Sequence, residues 1–302
     1  MNFVKRLWAV AAGIVALAAS TAMASAQATP VSPAPAETSS PTFMDREYDG
    51  RTHVMLAPYI WGPTVKGDFQ FSVPTLPSRP SGIAQSSFEV GPSDYLPKIN
   101  SAAMFAFDAR KGDIDVFGDY IYLNATTTTS IFGTISGPLG RVQIPVSISA
   151  DARLRTSIWE AAAGFTVARG HNADLSTFLG LREFPINFVF GYTATVGKRG
   201  ILAPSGSITT GAITQDVIFG LRGRAFFDDS HWYVPYYIDV GQGAGQVGNQ
   251  TWEGYTGVGY AFNHGQTLLA AWRSLNYNGF SPISHVQKLT LDGPLLGYTF
   301  NL

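Results

Sequence analysis

The sequence predicts an all-β fold, an antiparallel transmembrane barrel of about ten strands, within a range of eight to twelve for this chain. Three observations predict it. Segments of period two recur along the chain, each with one largely apolar face. Charged residues are only 14% of the 302, against roughly 25% in ordinary soluble domains, whereas aromatics reach 13% and glycines number 32. Finally, short polar turns alternate with longer loops, as they do in barrels that span an outer membrane. A soluble sandwich would hide its apolar strand face in a core, whereas a transmembrane barrel turns that face to lipid and keeps the polar one inside.

The N-terminus supports export. Lys5 and Arg6 precede the apolar run Leu7 to Ala19, and small residues follow, with Ala22-Met23-Ala24 and Ala24-Ser25-Ala26 as cleavage candidates. Residues 1–26 read as a secretory signal peptide, because the apolar run is shorter than the roughly 20 residues a spanning helix needs. Residues 27–50, rich in Pro, Ser and Ala, read as a disordered linker, and residues 51–302 as the barrel. Export without a helical span places the barrel in the outer membrane of a Gram-negative cell. A formal net charge of −1 gives no electrostatic case for nucleic acid. Without cysteine there is no disulfide or thiolate chemistry.

The first strand begins near Arg51. Both of its faces are apolar (His53, Met55, Ala57, Tyr59, Trp61 against Val54, Leu56, Pro58, Ile60), so its inward face is open; Gly62-Pro63 bends it before it resumes over Val65 to Val73. Pro74 to Pro97 reads as a long loop with a short helix. In Lys98 to Arg110, Phe105 and Phe107 oppose Met104, Asp108 and Arg110. Arg110-Lys111-Gly112-Asp113 is a tight turn, after which Ile114, Val116, Gly118, Tyr120 and Tyr122 oppose Asp115, Phe117 and Asp119. Thr126 to Gly140 reads as a polar loop. The next strand sets Trp159, Ala161, Ala163, Phe165 and Val167 against Glu160, Gly164 and Thr166. After a turn at Arg169 to Ala173, Leu175, Thr177, Leu179 and Leu181 oppose Asp174, Ser176, Gly180 and Arg182.

Phe184 to Thr214 fits either one excursion or an extra hairpin turning at Lys198-Arg199-Gly200. Val217, Phe219, Leu221, Gly223 and Ala225 then oppose Asp216, Gly220, Arg222 and Arg224. Asp228 to His231 turns into Trp232, Val234, Tyr236, Ile238 and Val240, opposed by Tyr233, Tyr237, Asp239 and Gly241. Val258, Tyr260 and Phe262 repeat the pattern, and the last strand sets Leu296, Tyr298, Phe300 and Leu302 against Leu295, Gly297, Thr299 and Asn301. Short turns near 111, 171, 229 and 264, with loops near 74–97, 130–141, 186–212, 243–250 and 278–285, make about ten strands with both termini at the periplasmic end. Two residues fit badly. Glu183 shares parity with Leu179 and Leu181, so it belongs at the membrane edge or after a bulge. Pro294 lies inside the last strand, where a bulge at Gly293-Pro294 is expected.

If the apolar parities face lipid, the lumen receives Asp108, Arg110, Asp115, Asp119, Glu160, Arg182, Asp216, Arg222, Arg224, Asp239, Glu253 and Arg273. In a barrel of this size they form either a salt-bridge network that plugs the interior or a narrow pore with Arg222, Arg224 and Arg273 facing Asp115, Asp119 and Glu253. The histidines (53, 171, 231, 264, 285) fall in turns or at strand ends and meet no Ser or Asp set, so no enzyme is expected, nor a metal or cofactor. Trp61, Trp159, Trp232, Trp252 and Trp272 fit interfacial girdles.

Several segments resemble a family of uncharacterised proteobacterial outer-membrane β-barrel proteins, over roughly residues 51–302. They are Pro58-Tyr59-Ile60-Trp61 with its Gly-Pro, Ala109-Arg110-Lys111-Gly112 leading to Asp119-Tyr120-Ile121-Tyr122, and Phe219 to Arg224. Trp252 with Gly257-Val258-Gly259-Tyr260 and Gly293-Pro294-Leu295-Leu296-Gly297 complete the set. The resemblance implies fold and location but no activity. The last strand also resembles the recognition signal of the barrel-insertion machinery through Gly297, Phe300 and Leu302, although it ends in Leu and carries Leu295 where a polar residue is usual. The expected role is a narrow, porin-like passive channel for small solutes. The alternative is a closed structural or loop-mediated binding barrel. The expected partners are outer-membrane lipid, the insertion machinery and small solutes.

Overall fold

The computed structural model describes residues 42–73, 82–136, 143–196, 201–202, 206–228, 230–243, 249–262, 265–279 and 286–302. The expected signal peptide and the linker up to residue 41 lie outside the described residues. In chain order the elements are helix α1 (Phe43–Glu47), strands β1 (Thr52–Trp61), β2 (Thr64–Val73) and β3 (Gly82–Val90), and helix α2 (Pro92–Tyr95). A single 3-10 turn (Leu96–Lys98) leads to β4 (Ile99–Lys111), β5 (Ile114–Ser136), β6 (Gln143–Arg169), β7 (Ala173–Val196) and the two-residue β8 (Ile201–Leu202). The chain ends with β9 (Gly206–Phe226), β10 (Trp232–Gly243), β11 (Asn249–Ala261), β12 (Thr267–Gly279) and β13 (Val286–Asn301).

Ten antiparallel strands close a barrel in the order β1-β4-β5-β6-β7-β9-β10-β11-β12-β13, and β13 pairs back onto β1. Closure leaves no open edge within the wall, which satisfies the backbone of every wall strand. The barrel has a turn end, with tight reversals at 112–113 and 170–172 and the short β9–β10 and β11–β12 connections, and a loop end. Gly112 takes φ +58° in the first of these turns, a conformation that a side chain would strain.

The loop end departs from the expectation. The segments read as loops at 126–140 and 186–212 are mostly strand. β5 and β6 stay paired to Ser136↔Gln143, and β7 pairs with β9 from Ala173↔Ala225 to Tyr192↔Gly206. β5, β6, β7 and β9 are 23, 27, 24 and 21 residues long, about twice the 9–11 residues that cross a membrane. A Thr- and Gly-rich sequence looks like loop, but a paired neighbour extends the ladder regardless of propensity. The Pro74 to Pro97 segment likewise holds a strand, β3, which pairs with β2, before α2.

The expected bulge at Gly293-Pro294 is absent. Arg273↔Gly293, Trp272↔Pro294 and Ala271↔Leu295 pair in unbroken register. The break lies in the partner. β13 pairs with β1 up to Trp61↔Leu295 and with β2 from Thr64↔Asp292, three residues further on each chain, so β1 and β2 are one strand kinked at Gly62-Pro63. Pro294 faces that kink, and Gly62 N donates to its carbonyl at 3.0 Å. Its missing N–H therefore removes a donor where the partner is already interrupted. A side chain at Gly293 would lie 2.3 Å from Gly62 O, so the crossing requires glycine. Glu183 also sits without a bulge, facing outward and accepting from Gln215 at 3.4 Å.

Every wall strand places at least one exposed large apolar side chain outside. They include Ile60 (70% exposed), Phe107, Ile114, Phe165, Leu179, Phe219, Val240, Val258, Trp272 and Leu296, one from each of the ten strands. Inside, an apolar cluster fills the loop end (Trp61, Ile121, Ile158, Phe184, Leu275, Tyr277, Leu289, Leu291), and a second one is built on Phe117, Phe178 and Tyr237. β1 resolves its two apolar faces by turning Tyr59 and Trp61 inward.

The linker ends earlier than expected. Thr42 opens α1 with a reciprocal capping box: its hydroxyl accepts from Asp45 N, and its own N–H donates to Asp45. The helix docks into the turn-end mouth. Met44, 2% exposed, packs with Phe226, Tyr233 and Ala261, and Phe43 stacks on Phe226 at 5.1 Å.

Candidate functional site

All twelve charges expected in the lumen point inward, because each lies on the parity opposite the exposed apolar set. The structure sorts them into two groups and one outlier. The first group is a belt at mid-height. Arg182, 1% exposed, donates to Glu160 at 2.8 Å and to Asp239 at 3.0 Å, and lies 3.1 Å from Glu253. Arg273 continues the belt, 2.8 Å from Glu253 and 3.2 Å from Asp119. Tyr59 receives a hydrogen bond from Arg273 at 3.0 Å and donates to Asp119 at 2.9 Å, while Tyr237 donates to Glu160 at 2.8 Å.

These pairs cross the interior rather than run along the wall. Arg273 on β12 and Asp119 on β5 are four strands apart round the ring, and Arg182 on β7 and Glu253 on β11 are three apart. Such pairing fills the bore. The carboxylate oxygens of Glu160, Asp239 and Glu253 lie within 4.8 Å of one another, a spacing that could hold a metal ion, but the Arg182 guanidinium already sits among them as the cation.

The second group lies nearer the turn end. Arg222 pairs with Asp108, four strands away, and with Asp115 at 2.6 Å; its guanidinium lies 3.7 Å from the centroid of the Phe117 ring. Arg110 reaches Thr166 at 2.9 Å and Asp115 at 3.5 Å. Arg224 pairs with Glu47 of α1. Of the arginines expected to face a pore, only Arg222–Asp115 and Arg273 with Asp119 and Glu253 are brought together, and they meet in contact rather than across open space. The outlier, Asp216, pairs with no arginine among the described residues and accepts instead from Asn249 at 2.8 Å and Thr251 at 2.7 Å.

Four participants were missing from the expected set. Asp174, which binds the Tyr48 hydroxyl at 2.7 Å, shares the inward parity of Arg182 and was within reach of the pattern. Tyr59 was hidden by the two apolar faces of β1. Glu47 and Tyr48 lie in the segment read as linker, where the only local signal was Thr42 three residues before Asp45. Outside the wall, hydrogen bonds from Thr42, first through its backbone and then its hydroxyl, hold the Asp45 carboxyl below the usual carboxylate range. Hydrogen bonds from His53 and the Arg51 backbone do the same for Asp49. At the loop end, burial pushes the Tyr95 hydroxyl up to about 12, and it donates to Pro63 O at 2.9 Å.

Of the residues read as an insertion signal, Gly297 makes room for Tyr59, whose Cβ would lie 3.3 Å from an added Cβ. Phe300 faces out, and Leu302 N donates to Val54 O at 2.9 Å, tying the chain end to β1.

No protein-family model matches the chain, and no curated protein matches it. Among solved structures, the chain aligns with the translocator domain of autotransporter NalP from Neisseria meningitidis at 14% identity, covering 86% of this chain and 92% of that one, with a TM-score of 0.35. The β domain of the Bordetella autotransporter BrkA aligns at 9% identity over 83% and 98%, with a TM-score of 0.33. The Pseudomonas putida toluene transporter TodX aligns at 9% identity over 86% and 92%, with a TM-score of 0.26. The barrel itself is shown by its closed strand pairing.

Proposed function

We propose that this chain is an integral outer-membrane barrel with a closed lumen, acting through its loop-end surface rather than as a passive pore. The membrane placement is supported by the band of exposed Leu, Val, Ile and Phe, to which all ten wall strands contribute. The closed reading rests on one observation: arginine–carboxylate pairs in contact across the lumen, at 3.2 Å between Arg273 and Asp119 and 3.1 Å between Arg182 and Glu253. Solute passage through the bore requires both to part. The porin-like channel expected from the sequence is the less supported reading, since the same arginines that would line it are engaged with one another's carboxylates. Loop-end action is supported by β5, β6, β7 and β9, which continue as paired sheet well past the length a membrane needs.

The test is planar-bilayer conductance of the refolded protein, with folding confirmed. A silent bilayer is expected, and discrete steps from the unaltered chain would sink the closed reading. For the membrane placement, Val258→Arg on the outer face should cost about 2–4 kcal/mol at mid-bilayer. Urea unfolding in lipid measures it, and an unchanged midpoint would remove that face from the lipid.

A further inference from the structure

A cavity of about 220 Å³ lies in the turn-end half of the lumen, with the Glu253–Arg273 belt on one side and α1 at the mouth. It is smaller than the roughly 300–1,000 Å³ sites that take drug-sized ligands. Its wall includes Arg110, Arg222 and Arg224 with Phe117, Tyr233 and Tyr255. The carboxylates of Asp108, Asp119, Asp174 and Glu253 also line it, and they already engage Arg222, Arg273 and Tyr48. Glu47, in the last turn of α1, places its carboxylate between Arg110 of β4 and Arg224 of β9, two strands four apart round the ring. Among the described residues, Glu47 is the only carboxylate whose side chain pairs with Arg224. Arg110 is 3% exposed, and its Nε has no hydrogen-bond partner; it points at Glu47 Oε1 from 3.5 Å, too far for a good bond.

Two guanidiniums set across a mouth form a carboxylate receptor: Arg110 keeps its Nε unmet while its Nη1 serves Tyr48 of the α1 segment and Thr166, and Arg224 holds Glu47 as its acidic partner. The occupant is part of the chain, carried on a short helix that docks through Met44 and Phe43. That helix has five residues, too few to be stable alone. The aromatic wall behind the arginines suits a flat apolar body.

We infer that Arg110 and Arg224 form a binding site for a small aromatic carboxylate entering from the turn end, and that Glu47 is its tethered, displaceable occupant. This rests on the reading that the turn end faces an aqueous compartment. A tethered occupant lowers the apparent affinity of a free ligand by the fraction of time it is bound, so removing it must tighten binding.

The experiment is calorimetric titration of benzoate, and in parallel of inorganic phosphate, into the full chain folded in detergent micelles. Three proteins are compared: wild type, Glu47→Ala, and Glu47→Ala/Arg224→Met. The double variant removes Glu47 and Arg224 together and leaves Arg110 beside Asp115, and heat-dependent gel mobility confirms that each protein is folded. Glu47→Ala should bind benzoate at least tenfold more tightly than wild type, and the double variant should lose that gain. In the wild type, saturating benzoate should speed hydrogen exchange of the amides at 43–48 as α1 leaves. Equal benzoate affinity in wild type and Glu47→Ala, or binding that survives Arg224→Met, would overturn the site. Phosphate binding Glu47→Ala as tightly as benzoate would overturn the ligand class. Because binding in micelles is independent of conductance, a conducting wild type would break the closed-lumen reading and leave this result standing.

Discussion

The two ends of the lumen are closed by opposite means. At the loop end, Trp61, Ile121, Phe184, Leu275, Tyr277, Leu289 and Leu291 meet as an apolar core, with a residual cavity of only about 40 Å³. At mid-height and towards the turn end, arginines and carboxylates meet across the bore, a 220 Å³ cavity remains, and a helix from outside the wall covers it. The strands and the parity are the same throughout. On β12, Leu275 and Arg273 are consecutive inward positions, one in each regime. Inward-facing thus does not mean polar in this barrel. The wall fixes direction, and the residue chosen at each height decides whether the seal is a packed core or a charge network. A packed core fails by leaving a hole, whereas a charge network fails by leaving an unpaired ion.

The largest effect that separates the two seals is expected from Arg182→Met. It strands Glu160, Asp239 and Glu253 around an apolar side chain, and breaking a buried network from one partner costs about 3–5 kcal/mol. Urea unfolding at neutral pH should show that loss, and recovery as the pH is lowered and the acids take up protons. A loss that is the same at every pH would mean packing, not charge, holds the belt. Leu275→Ala at the apolar end should cost about 2–5 kcal/mol, with no pH dependence of its own. A pH-dependent loss there would erase the contrast.

The smallest effect belongs to the outer cover. Thr42→Ala removes the cap of α1, worth about 1 kcal/mol. It should raise hydrogen exchange at 43–48 while leaving global unfolding unchanged. Asp45 and Asp49 titrate below their ordinary value of 3.8 when α1 is docked. Their contribution is therefore complete above that value and is lost as the pH falls through the lower folded one. Protease cleavage near residues 42–50 should accelerate in that acid window and not at pH 6; cleavage independent of pH would rule out these carboxylates as the hold.

The sequence by itself determined the direction of nearly every side chain and the number of wall strands. Both are local: a period of two sorts Asp115 from Val116 and Glu160 from Ala161 without any knowledge of neighbours, and tight turns such as the one at Gly112 punctuate the chain. It could not choose the inward face of β1, where both parities are apolar, because only the lumen's contents at that height distinguish Tyr59 from Ile60. It also misread the Thr-rich end of β5 as loop, since strand there depends on β6 lying alongside. Only the tertiary structure decided that Arg273 meets Asp119 and that Arg182 gathers three acids, for those partners lie 154 residues apart in the first case and on distant strands in the second. Barrel closure and stagger set the height of each strand against those opposite it, and no pairwise pattern along the chain encodes that height. The docking of α1 is decided in the same way: Glu47 finds its arginines only once β4 and β9 stand on opposite sides of a closed mouth.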